Sequence, residues 1–324
     1  MGGELEKRIR YCDRITKASG SNLWMVSRAL PAAKHRFFTV AYSSMRVIDD
    51  FVDDEFMALD PAGREAERGA AEAKVALWVE QSEAAAQREF VATERSYEPE
   101  IFLAMNEMLG RSTLGAGPWR GLGGALTDDI RERRLGTWAD FLHYCSGATV
   151  APAHIFLFVL ACQESGGDYL HDPALPIADY AHDMGVFCYL VHICRDVKKD
   201  ALAGGEQLVT VPADVLGAHG LEAATLKEDL DGGSGERARS MVEDLLERAA
   251  EFRGRSEQHL GVLLGVLGKR EGAVLRGLLG VYMKLHDALV ADPMAAVRGE
   301  ELLGFRDKLK ILGAAGLGVG DFVH

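Results

Sequence analysis

Proline is scarce in this chain of 324 residues, at 9, and the alternation of apolar and polar side chains that marks strands is nearly absent. Cysteine is sparse as well. Cys12, Cys145, Cys162, Cys188 and Cys194 stand singly among apolar residues with no C-x-x-C pair, the pattern of reduced thiols packed between helices in a cytosolic chain. The longest apolar run, Ile155 to Cys162, is too short to span a bilayer. The N-terminus is charged and has no apolar core, so no signal peptide is read and a cytoplasmic protein is expected. Positive charge is in deficit. The net charge of −13 comes with no basic stripe, which argues against nucleic acid as the main partner. Neither a G-x-S-x-G elbow nor a phosphate-binding P-loop is present, so nucleophilic serine and nucleotide chemistry have no supporting motif.

What remains is 48% hydrophobic residues in helix-like runs, enough to bury a large core without staples. The expectation is an all-α fold: a single domain over residues 1–324, about a dozen helices bundled around a central apolar cavity. Helices are read at 4–17, 23–30 and 31–57, then at 62–87, 100–114 and 122–134. Thr137 is the N-cap of a further run into His143 to Gly147, followed by an apolar helix through Cys162 with Pro152 near its first turns as a point of bending. Residues 166–176 read as a loop, 177–201 as a long helix, and 211–220 as a short segment. Helices follow at 236–260, 272–290 and 300–312. The break at Ala18 to Asn22 reads equally as a plain helix cap or as small residues whose backbone N–H groups approach an anion.

Two acidic stretches stand out. Arg46-Val-Ile-Asp49-Asp50-Phe-Val-Asp53-Asp54 places Asp49 and Asp53 on one helix face, and Arg195-Asp196-Val-Lys-Lys-Asp200 repeats the spacing far downstream. Like charges at that spacing destabilise a bare helix by roughly 0.2–0.5 kcal/mol per pair. A single such pair is usually a solvated face. Here both pairs end apolar helical runs and both follow an arginine, which points to two walls of one divalent-cation site. Magnesium takes oxygen ligands, keeps several waters, and bridges one or two carboxylates to substrate phosphates. An apolar cavity capped by such a site suits ionisation of a prenyl diphosphate, with dry walls protecting the carbocation.

With these motifs the sequence resembles the squalene/phytoene synthase family, the head-to-head prenyl transferases. The likeness is carried by Ser19-Gly-Ser21-Asn22 through Leu30-Pro31, by Ala41 to Asp54, by Thr137-Trp through Tyr144-Cys145, and by Leu190 to Asp200. It implies the isoprenoid-synthase type of bundle and a magnesium-dependent condensation of two farnesyl or geranylgeranyl diphosphates. The route runs through a cyclopropyl diphosphate to presqualene diphosphate, squalene or phytoene. It implies Asp49, Asp53, Asp196 and Asp200 as magnesium ligands, with Arg46 and Arg195 holding phosphate or the carboxylates. Tyr144 joins the catalytic set. Ser21, Tyr42, Asp50, Tyr189, His192, Tyr282 and Arg298 complete the substrate-facing set.

The sequence departs from the family pattern around the second motif. Tyr189 and His192 stand where Gln and Asn are usual, Lys199 beside Lys198 replaces an acid, and Gln207 to Thr210 replace the usual Arg and Tyr. Thr149, Val150 and Pro152 replace small residues after Tyr144-Cys145. Two other readings therefore stay open: a lyase or hydrolase acting on one prenyl diphosphate, and a non-catalytic relative. Tyr144 and Tyr282 also read as core aromatics with satisfied hydroxyls, and His192 as a packed histidine. The basic helix with Arg306, Lys308 and Lys310 reads as docked on acidic protein or lying on the inner membrane face. No nicotinamide fingerprint is visible, and NADPH use is left open. No obligate protein partner is inferred.

Overall fold

Fifteen α-helices follow one another in the residues that the computed structural model describes, 2–203 and 210–318. Gln207, one of the departures noted above, lies outside them. The architecture is all-α, as the composition indicates. α1 (Gly2–Ala18) and the short α2 (Asn22–Ser27) lead to α3 (Ala32–Asp50). α4 (Pro61–Ala86) starts on a side-chain cap: Asp60 accepts the Gly63 N–H at 2.7 Å, and Pro61 fills the first turn, where its missing donor is harmless. α5 (Pro99–Met108) and α6 (Gly117–Ile130) follow. α7 (Trp138–Ala148) opens on the expected Thr137 cap, a reciprocal box in which Asp140 returns a bond to the Thr137 N–H at 2.9 Å.

The apolar helix read through Cys162 is separate from the Thr137 run: the chain breaks at Thr149, and α8 (Val150–Ala161) leaves at 44° to α7. Pro152 sits in the first turn of the new helix, where proline is tolerated. α7 also lies hard against α6, since a Cβ on Gly147 would meet the Gly121 carbonyl oxygen at 2.2 Å. α9 (Ile177–Ala203) carries the second acidic motif. α10 (Ala213–Ala218), α11 (Ala223–Asp231), α12 (Glu236–Val266), α13 (Lys269–Ala291), α14 (Pro293–Arg298) and α15 (Phe305–Ala314) complete the chain.

Two apolar clusters fill the interior. One gathers α1, α3, α4, α5 and α8; the other gathers α9, α12 and α13, and Val150, Cys188, Tyr282 and Met283 border both. α3 is gripped at one level by two buried indoles. Trp78 of α4 donates to the Ser44 carbonyl at 2.7 Å, and Trp119 of α6 donates to the Ser44 hydroxyl at 2.8 Å. Among the described residues no single helix is long and apolar enough to cross a membrane; the bent pair α7–α8 passes that test by length and composition, yet most of α8 is buried in the first cluster. α15 lies along α13, with Leu312 and Ile311 over Gly277 and Gly280, so α13 covers its apolar side.

Three features differ from the sequence reading. The helix expected over 31–57 changes type: after Asp50, residues Phe51–Phe56 form a π-helical turn, closed by Met57 N–H to the Val52 carbonyl at 2.9 Å. The loop expected over 166–176 begins inside a small hairpin, β1 (Gln163–Ser165) against β2 (Asp168–Leu170). Gly166 and Gly167 turn it at positive φ, and Arg111 ties it down through Asp168 and the Gly166 carbonyl. α11 and α14 were not anticipated. Asp229 of α11 is buried because its carboxylate caps α12, accepting the Ala238 N–H at 3.0 Å.

Candidate active site

Both acidic motifs reach one cleft. Asp53, from the π-helical turn after α3, and Asp200, near the end of α9, line a cavity of about 490 Å3 together with Asp129, Tyr144, Tyr189 and Thr210. A second cavity of about 870 Å3 shares Asp129, Tyr144 and Thr210 and continues outward under α10 and α11, past Leu135, Val211, Leu216 and Leu221. The cleft thus has an acidic centre and an apolar flank.

The first motif is partly neutralised from within. Arg46 donates to Asp49 at 2.5 Å and also to Asp50. Burial pushes the Asp49 carboxyl upward against the pull of Arg46, with Asp54 adding to the rise. Among the described residues Asp53 has no such partner. Crowding by protein, then the neighbouring Asp49, lifts it to about 7, although it opens to water from the cleft.

The second motif repeats the arrangement. Burial alone would raise Asp196, but the Arg195 fork, at 2.7 and 2.5 Å, and His192 at 3.1 Å hold it well below the usual carboxylate range. Asp200 is raised by burial and by Asp196. Among the described residues each motif therefore has one carboxylate latched by its own arginine and another facing the cleft with no ion pair.

Two of the tyrosines line the cleft. Tyr144 donates to Asp129 at 3.1 Å, and its ring lies 6.5 Å from that of Tyr189, which in turn stacks on Phe141. Tyr282 lines neither cavity; burial lifts its hydroxyl to about 12, Cys188 adds to the rise, and Asn22 and Arg195 work against it. Tyr42 is buried and stacks on Phe38 at 5.1 Å. His192 is half exposed beside Arg195. Lys199 is exposed and Lys198 lies along Gly299 of the α14 cap, so neither lysine lines the two cavities of the cleft.

Of the expected residues, Asp53, Asp200, Tyr144 and Tyr189 line the cleft, and two further candidates are held elsewhere. Ser21 accepts the Trp24 N–H at 3.1 Å as the N-cap of α2, the plain-cap reading of that break. Arg298, at the end of α14, is held at the surface by Asp292 at 2.6 Å and Glu300 at 2.5 Å, which occupy its guanidinium.

Asp129 was missed. It lies at the end of α6, with Tyr144 on one side and Asp53 and Asp49 on the other; burial lifts it to about 7, Tyr144 opposes, and the two aspartates add. A signal was present, because Asp128-Asp129 closes an otherwise apolar helix at the end where the helix dipole disfavours negative charge. The turn after it is fixed from α4. Glu132, at φ 52°, takes Arg64 at 2.8 Å and Arg68 at 3.2 Å, while Arg68 also donates to the Ile130 carbonyl.

The donor set fits a hard cation. Asp49, Asp53, Asp129 and Asp200 offer oxygen only, and burial first of all raises the proton affinity of each, so a cation at the cleft would relieve them. Among the described residues no three His, Cys, Asp or Glu side chains already surround one point. A cation that keeps its waters and binds through one or two carboxylates does not need them to.

Helices stacked this way around a cleft with two aspartate-bearing walls define the isoprenoid-synthase class of all-α proteins. Solved structures of that class superimpose over almost the whole chain. A dehydrosqualene synthase with bound ligand matches at a TM-score of 0.73 with 16% identity, covering 97% of each chain. Squalene synthase HpnC from Alicyclobacillus acidocaldarius matches at 0.68 with 18% identity, over 90% of this chain and 96% of its own. YisP from Bacillus subtilis matches at 0.62 with 12% identity, over 96% and 97%. At these identities the likeness establishes the fold alone. No sequence among the curated proteins matches. The squalene/phytoene synthase family model matches residues 16–310, and the chain belongs to that family.

Proposed function

We propose that this protein condenses two prenyl diphosphates, farnesyl or geranylgeranyl, head to head with magnesium. The observation that carries the reading is that Asp53 and Asp200, from helices distant in sequence, line one cleft with Asp129 while an apolar flank adjoins it. Magnesium held by Asp49, Asp53, Asp196 and Asp200 would supply positive charge to a leaving diphosphate. Arg46 and Arg195 turn from their own carboxylates to the phosphate oxygens. The C–O bond of one substrate then breaks and diphosphate takes the electron pair. The allylic cation is attacked by the double bond of the second substrate, and loss of a proton closes a cyclopropyl diphosphate. The Tyr144–Asp129 hydrogen bond holds a phenol and a carboxylate at the cleft, where they orient the diphosphate and its waters. A second ionisation would lead onward to phytoene by loss of a proton, or to squalene where NADPH supplies a hydride to the cation.

Purified protein is incubated with farnesyl and, separately, geranylgeranyl diphosphate plus magnesium, with and without NADPH. Release of diphosphate and a C30 or C40 product are expected. A second reading, a lyase or hydrolase acting on one prenyl diphosphate, draws on Tyr189, whose ring faces the cleft where Gln or Asn is usual. That reading predicts diphosphate release with only C15 or C20 products. No diphosphate release from either substrate would defeat both.

A further inference from the structure

The π-helical turn that presents Asp53 is not specified by its own residues, since Val-Ile-Asp-Asp-Phe-Val-Asp-Asp suits an ordinary helix. Its supports lie elsewhere in the chain. The Tyr97 hydroxyl donates to the Val47 carbonyl at 2.8 Å, one turn before the helix changes type. That carbonyl also accepts the Phe51 N–H, so it carries two donors where a regular helix supplies one. The ammonium of Lys74, from α4, sits 3.6 Å from the centre of the Phe51 ring and 5.2 Å from that of Tyr97. Phe51 is the first residue of the widened turn.

Tyr97 is itself held in place. The buried Gln81 side chain donates to its carbonyl at 2.8 Å and accepts its N–H at 2.9 Å, a two-point grip on the backbone. The next residue, Glu98, stands at φ 45° and accepts the Tyr11 hydroxyl at 2.5 Å, and Pro99 then starts α5. A residue of an otherwise exposed connection is thus located by three separate constraints, with only its phenol reaching the aspartate helix.

We propose that Tyr97 and Lys74 are positioning residues for the aspartate turn: the hydroxyl on the Val47 carbonyl and the cation over Phe51 hold the π-helical turn that aims Asp53 into the cleft. The inference rests on reading the aspartates as the magnesium-diphosphate site. Neither residue lines the cleft, so both act through the geometry of Asp53.

The test is calorimetric titration of the full-length protein with inorganic pyrophosphate in excess magnesium. Tyr97→Phe keeps the ring and removes only the hydroxyl; Lys74→Met keeps the stem and removes the charge. Tyr97→Phe is expected to weaken binding about three- to tenfold, the worth of one hydrogen bond, and Lys74→Met by about two- to fivefold. Combining either with Asp53→Asn should add nothing to the loss from Asp53→Asn alone, because the supports act through that carboxylate. A role in folding alone would lower the melting temperature and leave the dissociation constant of the folded protein unchanged. If Asp53→Asn weakens binding while Tyr97→Phe and Lys74→Met bind as wild type, this inference is wrong and the site reading stands. If Asp53→Asn also binds as wild type, the site reading itself is wrong. Should Tyr97→Phe fail to fold, Lys74→Met carries the same comparison.

Discussion

Replacing Asp129 by Asn removes one of the unpaired negative charges facing the cleft with almost no change of shape. Its carboxyl rises from an ordinary 3.8 to about 7, and each pH unit corresponds to 1.36 kcal/mol, so ionising it in the folded, metal-free protein opposes folding by roughly 4 kcal/mol. Water entering the cleft screens part of this, and about 2 kcal/mol is a fair working figure. The sign follows from proton binding: with the folded-state value raised, the folded protein holds the extra proton between about pH 4 and 7, and stability falls as pH rises through that window. In EDTA at pH 8, Asp129→Asn should therefore be more stable than wild type by about 2 kcal/mol, or ~3 °C for a chain of this length. The gap should shrink as pH falls from 7 towards 4. Magnesium and pyrophosphate should reverse the order, since a ligand that binds the folded state stabilises the protein that binds it more tightly. Differential scanning fluorimetry at pH 8 and pH 5, with and without the ligands, reads all of this. A variant less stable than wild type at pH 8 in EDTA, or a gap that is the same at both pH values, would refute the reasoning.

Further predictions concern the supports of the cleft. Tyr144→Phe removes the donor to Asp129 and should lower kcat about tenfold or more while leaving the melting temperature nearly unchanged, checked by steady-state diphosphate release. Glu132→Ala leaves the largely buried Arg64 without its carboxylate and should destabilise the protein by about 2–3 kcal/mol in scanning calorimetry. Asp183 sits under His259 at 2.8 Å and Arg255 at 2.9 Å; burial would raise it, but those bonds hold it low. Its contribution is present above the unfolded value near 4 and is lost as pH falls through the lower folded value. Asp183→Asn should cost about 1 kcal/mol at pH 7 by urea titration, and the cost should shrink as pH falls below 4.

The aspartate motifs were legible because carboxylates four apart on apolar helices break a strong local rule, and the structure brings Asp53 and Asp200 to the same cleft. The Thr137 cap was legible for a similar reason: its signal lies within four residues. The π-helical turn was not, because the groups packed against its start, Tyr97 and Lys74, come from distant segments. Asp129 was obscured by the charges around it. Its Asp-Asp-Ile-Arg-Glu-Arg-Arg surroundings read as a solvated helix end, and only the folded chain shows Glu132 pinned by Arg64 while Asp129 turns inward. Arg298 was misplaced by the same limit, since Asp292 and Glu300 claim it locally.

The central claim is that two distant helices share one metal-bound diphosphate. Crystals soaked with manganese, standing in for magnesium, and a non-hydrolysable farnesyl thiodiphosphate would locate the ions by anomalous scattering. The account predicts peaks between the Asp49–Asp53 and Asp196–Asp200 walls, with Arg46 and Arg195 swung from their carboxylates to the analogue. Ions bound to one helix only, or an analogue seated outside the cleft with both arginine latches closed, would contradict it.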